Sequence, residues 1–331
     1  MTHPMRRRAL RGLAALATLP GLAALPAAAQ EGPFPNRPVR IVIWNSPGST
    51  IDALIRLIGE NLQTIWGKSV VIENKLGAGG IVATDQVAHS RPDGYTILIT
   101  STTAQVHNVL LKTKLPYDPA ALTPVSLLAS GRHAMVVAAN APYNTLPEFV
   151  EAARRDPKGL SFGSWGEGSM GHLLGIQLGQ QAKVTLVHAA YKGGDVATIT
   201  DVVGGNLNAA IVAQGSAKNY SQSGKVKVLA VFGEGRIPGM PNTPSFAEAG
   251  YKGFEVSGWI GAYVPTGTPA PVVQKIAADL RTVMQTPAVV ARANQLEFES
   301  IGSTPAQLAD LEKADFVRWR AMIQAAGIKP D

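Results

Sequence analysis

Short runs of β-branched and aliphatic residues alternate with helical periodicity along most of the chain. Val39 to Trp44 predicts a strand, and Asp52 to Trp66 a helix with Leu54, Leu57, Ile58 and Ile65 near one face and Gly67 as its stop. A strand at Val70 to Glu73, a helix at Ile81 to His89 and a strand at Tyr95 to Thr100 complete a βαβαβ order. That order predicts a parallel sheet with helices on both faces. The same grammar restarts with strand Met135 to Ala138, helix Leu146 to Arg155, strand Leu160 to Ser164, helix His172 to Gln181 and strand Val184 to Val187. Helix Val196 to Val203 and strands Ala209 to Val212 and Val226 to Val231 follow. After Pro238-Gly239-Met240-Pro241 come one strand, Trp259 to Val264, and then mostly helix, beginning near Pro269 and again at the capping box Thr304-Pro305-Ala306-Gln307. This tail has too few strands for a third sheet, so it is expected to return to the first unit. The expectation is an α/β protein with parallel or mixed sheets: lobe 1 from residues 30–130 and 240–331, lobe 2 from 131–239, and a cleft at a hinge near Ser130 and Pro238.

The first 29 residues follow a different pattern. Arg6, Arg7, Arg8 and Arg11 precede an apolar stretch, Gly12 to Leu25, and then Ala27-Ala28-Ala29 before Gln30. This is the order of an export signal, residues 1–29, cleaved before Gln30. About 14 apolar residues diluted by Gly, Thr and Pro fall short of the ~20 that span a bilayer. The paired arginines are compatible with either the general or the twin-arginine export route. Removing the four arginines from 30 basic residues leaves 26 against 23 acidic ones, a net of +3 where the whole chain carries +7. Nothing in that balance calls for nucleic acid. With 46% hydrophobic residues, 34 Gly and no Cys, the chain is expected to fold without disulfides, and cysteine nucleophiles, iron–sulfur clusters and cysteine-bound zinc are excluded.

Gly166, Gly168 and Gly171 match G-x-G-x-x-G after a strand and before a helix. A dinucleotide site also needs an acid ~20 residues on, at the end of the next strand, and the nearest is Asp195. What remains is a Gly-rich turn whose backbone N–H groups either attract a small anion at a helix start or simply link strand to helix. Ser164, Trp165, Gly168 and Ser169 form that loop, and His172 follows it. An equivalent loop after the first strand contains Ser46, Gly48, Ser49 and Thr50 and leads into Asp52, which orients the loop, contacts a cationic ligand group, or is an ordinary helix-start carboxylate. Ser101 and Thr102 follow the third strand. Ligands of parallel sheets bind at the carboxyl ends of strands, which is where all three loops lie. No G-x-S-x-G, H-E-x-x-H or P-loop pattern occurs, and the histidines at 89, 107, 133, 172 and 188 have no metal-ligand spacing with acids. No metal, cofactor or catalytic residue is expected.

Taken in order, several segments resemble the substrate-binding receptors of tripartite tricarboxylate transporters, the TctC-like or Bug family of periplasmic solute-binding proteins. They include Pro38-Val39-Arg40-Ile41-Val42, Val71 to Gly80, Pro92-Asp93-Gly94-Tyr95-Thr96, Leu115-Pro116-Tyr117-Asp118-Pro119, Gly168-Ser169 with His172, Tyr191-Lys192-Gly193 and Ala326-Gly327-Ile328. The resemblance spans the mature chain. It implies a two-lobed, type II-like periplasmic-binding-protein fold that captures a small organic acid and delivers it to the subunits of a membrane permease. It also implies that Ser46 to Asp52 and Ser164 to Ser169 grip the ligand carboxylate through backbone N–H groups and small side chains. Ser49, Thr50 and Ile51 stand where the family usually has consecutive glycines and Thr, while Trp165 and Glu167 replace small or neutral residues. With Tyr191 and Asp195 near the same mouth, these departures lean toward a monocarboxylate, an amino acid or an aromatic acid over a tricarboxylate such as citrate, and the expected ligand class is a dicarboxylate, amino acid or aromatic carboxylate. A monomeric receptor without catalysis is the expectation; the alternatives are a receptor feeding a sensor kinase and an exported α/β enzyme acting on small acids or esters.

Overall fold

The computed structural model describes residues 33–191, 194–325 and 327–330. The export segment 1–29 and Lys192 lie outside the described residues. Strand β1 (Val39–Ile43) is the hub of the first sheet, pairing in parallel with β2 (Val70–Asn74) and β3 (Thr96–Ser101). Ile41, Val42 and Ile43 are consecutive and fully buried, as a strand covered on both faces requires. Helix α1 (Thr50–Trp66) connects β1 to β2 and ends at Gly67 in the left-handed conformation. Its buried stripe is Leu54, Ile55, Ile58 and Leu62. Leu57 is only partly buried and Ile65 is 44% exposed, so the apolar face is centred further round the helix than the sequence spacing suggested. Helix α2 (Ile81–Ala88) joins β2 to β3, and a π turn at Thr103–His107 leads from β3 into α3 (Asn108–Leu111).

Strand β4 (Leu122–Gly131) was not legible in the sequence, because a proline argues against a strand. Here Pro124 sits at a register shift opposite Tyr263, away from the three-residue pairing that β4 makes on its other side. Across the single residue Arg132 the chain enters the second sheet as β5 (His133–Ala138). Then follow α4 (Leu146–Arg155), β6 (Leu160–Ser164), α5 (Met170–Ala182), β7 (Leu186–Ala190), α6 (Gly194–Val203), β8 (Ala209–Ala213), α7 (Gln214–Gln222) and β9 (Val226–Val231). Strand β7 begins two residues later than the apolar run suggested, because Lys183, at φ 54°, is still closing the end of α5. Strand β10 (Gly258–Pro265) returns to the first sheet, followed by α8 (Ala270–Met284), α9 (Pro287–Gln295), β11 (Phe298–Ser300) and α10 (Pro305–Ala325).

The sheet orders are β11-β4-β10-β3-β1-β2 and β7-β6-β8-β5-β9. Both are mixed rather than parallel: β10 runs antiparallel to β3 and β4, and β5 antiparallel to β8 and β9. Strands β10 and β5 are those by which the chain enters a sheet after crossing from the other, where no helical connection imposes parallel pairing; the short β11 is antiparallel to β4 as well.

Candidate functional site

A cavity of about 630 Å³ opens where the strand ends of the two sheets meet. The first sheet contributes Trp44, Asn45, Ser49, Ser101 and Thr102, and the second contributes Trp165, Asp195, Ala213, Gln214 and Ser216. Arg132 and His133, at one crossing, and Gly258 and Trp259, at the end of the return crossing, complete much of the wall.

The loop after β1 is built around a carboxylate. Asp52 is 2% exposed and accepts hydrogen bonds from Gly48 N–H at 2.8 Å, Arg56 Nε at 2.8 Å and Asn74 Nδ2 at 2.9 Å. Burial pushes its pKa up, but these donors outweigh burial and hold the carboxyl below its ordinary value. Asp52 thus ties the loop to α1 and β2 and is not among the residues that line the cavity. Ser49 caps α1, its hydroxyl oxygen accepting from Asp52 N–H at 3.2 Å, which leaves its own proton for an acceptor in the cavity. Ser46 and Gly48 are exposed and do not line the cavity; Thr50 supplies the first backbone position of α1. Thr102, on the π side of β3, accepts from Trp259 N–H at 3.0 Å and so fixes the start of β10 beside Ser101.

The Gly-rich loop after β6 is a closed network. Ser169 caps α5 by accepting from His172 N–H at 3.3 Å, donates to Gly166 C=O at 2.7 Å and lies 3.1 Å from the hydroxyl of Ser164. Ser164 is 2.7 Å from His188 Nε2, and Gly168 N–H donates to His172 Nδ1 at 3.0 Å. At φ +70° Gly168 sits so close to Leu111 that an added Cβ would come within 2.7 Å of its methyl group. The rings of His172 and His188 stack 4.1 Å apart, and burial lowers both pKa values, that of His188 to about 4. Two neutral imidazoles can share that contact; two cations could not. Ser164, Gly168, Ser169 and His172 consequently stand behind the cavity wall and shape it, while Trp165 reaches it, its ring stacked 4.8 Å from that of His133. Burial lowers the pKa of His133 to about 4.

Tyr191 faces elsewhere: its hydroxyl donates to Asp201, and it does not line the cavity. Asp195, at the start of α6, does line it, accepting from Ala213 N–H at 3.0 Å and from the Ser216 hydroxyl. Burial raises its pKa and these two bonds only partly offset that.

Several lining residues escaped the sequence reading. Gln214 and Ser216 follow β8 and were within reach of the same rule that singled out the loops after β1, β3 and β6. Trp259 was not, because it opens β10, whose antiparallel register, Ile260 opposite Ser101, brings an amino end of a strand to the carboxyl end of β3. Arg132 is held by carbonyls of the return crossing: Nε donates to Phe232 C=O at 2.6 Å, and its terminal nitrogens to Gly235 at 2.6 Å and Arg236 at 3.2 Å.

Two mixed sheets, crossed twice by the chain and sharing one cavity at their strand ends, define a two-lobed solute-binding fold. The chain belongs to the tripartite tricarboxylate transporter family receptors, whose family model, TctC, matches residues 54–328. A Pseudomonas sp. (strain P51) relative, described as the UPF0065 protein in the tcbD-tcbE intergenic region, is 35% identical over 320 residues, 96% of this chain and 94% of its own length. Among solved structures, the periplasmic binding protein BugD is 31% identical with a TM-score of 0.77, covering 89% of this chain and 99% of its own. The R. palustris protein Rpa4515 with adipate is 29% identical with a TM-score of 0.81, covering 90% and 100%.

Proposed function

We propose that this protein is an exported receptor that closes on a small organic acid between two lobes, residues 30–130 with 240–331 and residues 131–239, and delivers it to the membrane subunits of a tripartite tricarboxylate-type permease. One observation carries the reading: hydroxyls and helix starts from both sheets converge on a single cavity large enough for a small acid. Ser49, Ser101 and Thr102 offer hydroxyls on one side and the Gly-Ser loop sets Trp165 on the other, which suits a ligand held by oriented dipoles with an apolar wall. The similar protein with adipate supports a carboxylate ligand. The serine–imidazole contact of Ser164 with His188 does not line the cavity, which supports binding without catalysis.

Mass spectrometry of protein gently purified from its host should release a small carboxylate. Adding it back to stripped protein should shrink the radius of gyration and raise the thermal midpoint, since ligand at 100 times its Kd adds ~2.7 kcal/mol. A broad panel of acids that changes neither quantity would end this reading.

A further inference from the structure

Among the described residues, three charged side chains line the cavity: Arg132, Asp195 and Glu297. Glu297 is matched by Lys218, whose Nζ lies 2.5 Å from its carboxylate. Arg132 donates to three carbonyl oxygens, and Glu234 opposes its charge. Asp195 is different. Its hydrogen-bond partners are neutral, the Ala213 N–H and the Ser216 hydroxyl, and among the described residues no cation forms an ion pair with it. A carboxylate offers about four acceptor positions, so two donors leave it with acceptor capacity to spare in a residue that lines the cavity. A partly buried acid with no countercharge among the described residues is costly in a site that also has to hold an acid, unless the ligand brings the countercharge with it. Trp44 and Trp165 line the same cavity, and indole rings attract cations as well as covering apolar stems.

We propose that Asp195 anchors a protonated amine, and that the ligand class of this receptor is amino-carboxylic acids rather than plain carboxylates. The proposal rests on the receptor reading above and narrows it. The ammonium group of the ligand donates to the free acceptor positions of Asp195, while its carboxylate takes hydroxyl donors such as Ser49 and Ser101 across the cavity. The Ala213 and Ser216 contacts fix the rotamer of Asp195, so the anchor is in place before the ligand arrives.

Calorimetric titration of ligand-stripped protein with matched pairs tests this: 4-aminobutanoate against butanoate, 6-aminohexanoate against hexanoate, and L-phenylalanine against 3-phenylpropanoate. At least one amino acid should bind tenfold or more tightly than its amine-free partner. Asp195→Asn, which keeps an acceptor for Ala213, should erase that preference by weakening the amino acid tenfold or more while leaving the partner acid within about threefold. The proposal is overturned if amine-free acids bind the natural protein as tightly as their amino partners, or if Asp195→Asn weakens both members of a pair equally. The first of these comparisons needs no variant, so it stands even if the variant folds poorly. Tight binding of plain acids would leave the receptor reading intact while removing this one; binding of no acid in either series would remove both.

Discussion

Lys218 Nζ and Glu297 Oε1 lie 2.5 Å apart and join α7, on the second sheet, to the residue that leads into β11 on the first. The same glutamate's backbone carbonyl accepts from Gln214 Nε2, so two bonds tie the sheets together at the cavity rim. With side chains 27% and 15% exposed, this pair is worth more than a surface ion pair and less than a fully buried one. Lys218→Met should lower stability by about 1–2 kcal/mol in urea unfolding. A double-mutant cycle with Glu297→Gln should show coupling between the two, and small-angle scattering of ligand-free Lys218→Met should give a larger radius of gyration than the natural protein.

Ser169 and Trp165 separate loop building from ligand contact. Ser169→Ala removes the cap of α5 and the bond to Gly166, so the thermal midpoint should fall in line with a loss of about 1–2 kcal/mol, affinity changing chiefly through the loop. Trp165→Ala should do the opposite, weakening the acid released from the purified protein by about tenfold or more while costing less stability than truncation of a fully buried tryptophan.

Helix α5 packs on β6 through Gly175, where an added Cβ would stand 2.1 Å from the ring of the fully buried Phe162. Alanine is the better helix former by about 1 kcal/mol, yet here the steric conflict dominates. Gly175→Ala should therefore destabilise by roughly 1–3 kcal/mol, measured by denaturant unfolding. A stabilised variant would show that the helix can move off the sheet freely.

Glu312 accepts from Tyr263 Oη at 2.9 Å near Asp315, and burial first, then the neighbouring aspartate, pushes its pKa up to about 7 from 4.5. The folded chain thus keeps a proton that the unfolded chain releases, and this group makes stability fall as pH rises from 4.5 to 7. Glu312→Gln keeps an acceptor for the tyrosine and removes the titration. Its thermal midpoint should exceed that of the natural protein at pH 8, by about 2–4 °C for each kcal/mol recovered, and match it near pH 4.

His133 and His188 have the opposite sign. Both are held neutral, their pKa values pushed down to about 4 from 6.5, so the unfolded chain gains protons first as pH falls. Their contribution is complete above pH 6.5 and drains away toward pH 4. Acid titration of His188→Gln should show a shallower loss of stability over that window than the natural protein.

The sequence displayed what local periodicity and capping can display. Elements β6, α4 and β9 lie where their apolar runs placed them, while α1 and α5 start two residues ahead of the expected Asp52 and His172, at the caps Ser49 and Ser169. It hid what depends on distant partners. Pro124 concealed β4 because only the pairing with β10, more than a hundred residues later, makes room for it. Residues of all three loops line the cavity, yet which of their side chains face it is decided by closed hydrogen-bond networks such as Ser164–Ser169–His188, and no spacing reveals those.

Only Arg132 separates β4 of one sheet from β5 of the other, and its guanidinium clasps the strand of chain that travels back. The two crossings therefore cannot pivot independently: twisting one torsion beside Arg132 drags Phe232 and Gly235 along with it. In the proposed closure the axle on this side is one residue wide, so rotation beside Arg132 sets how far apart the two walls of the cavity stand.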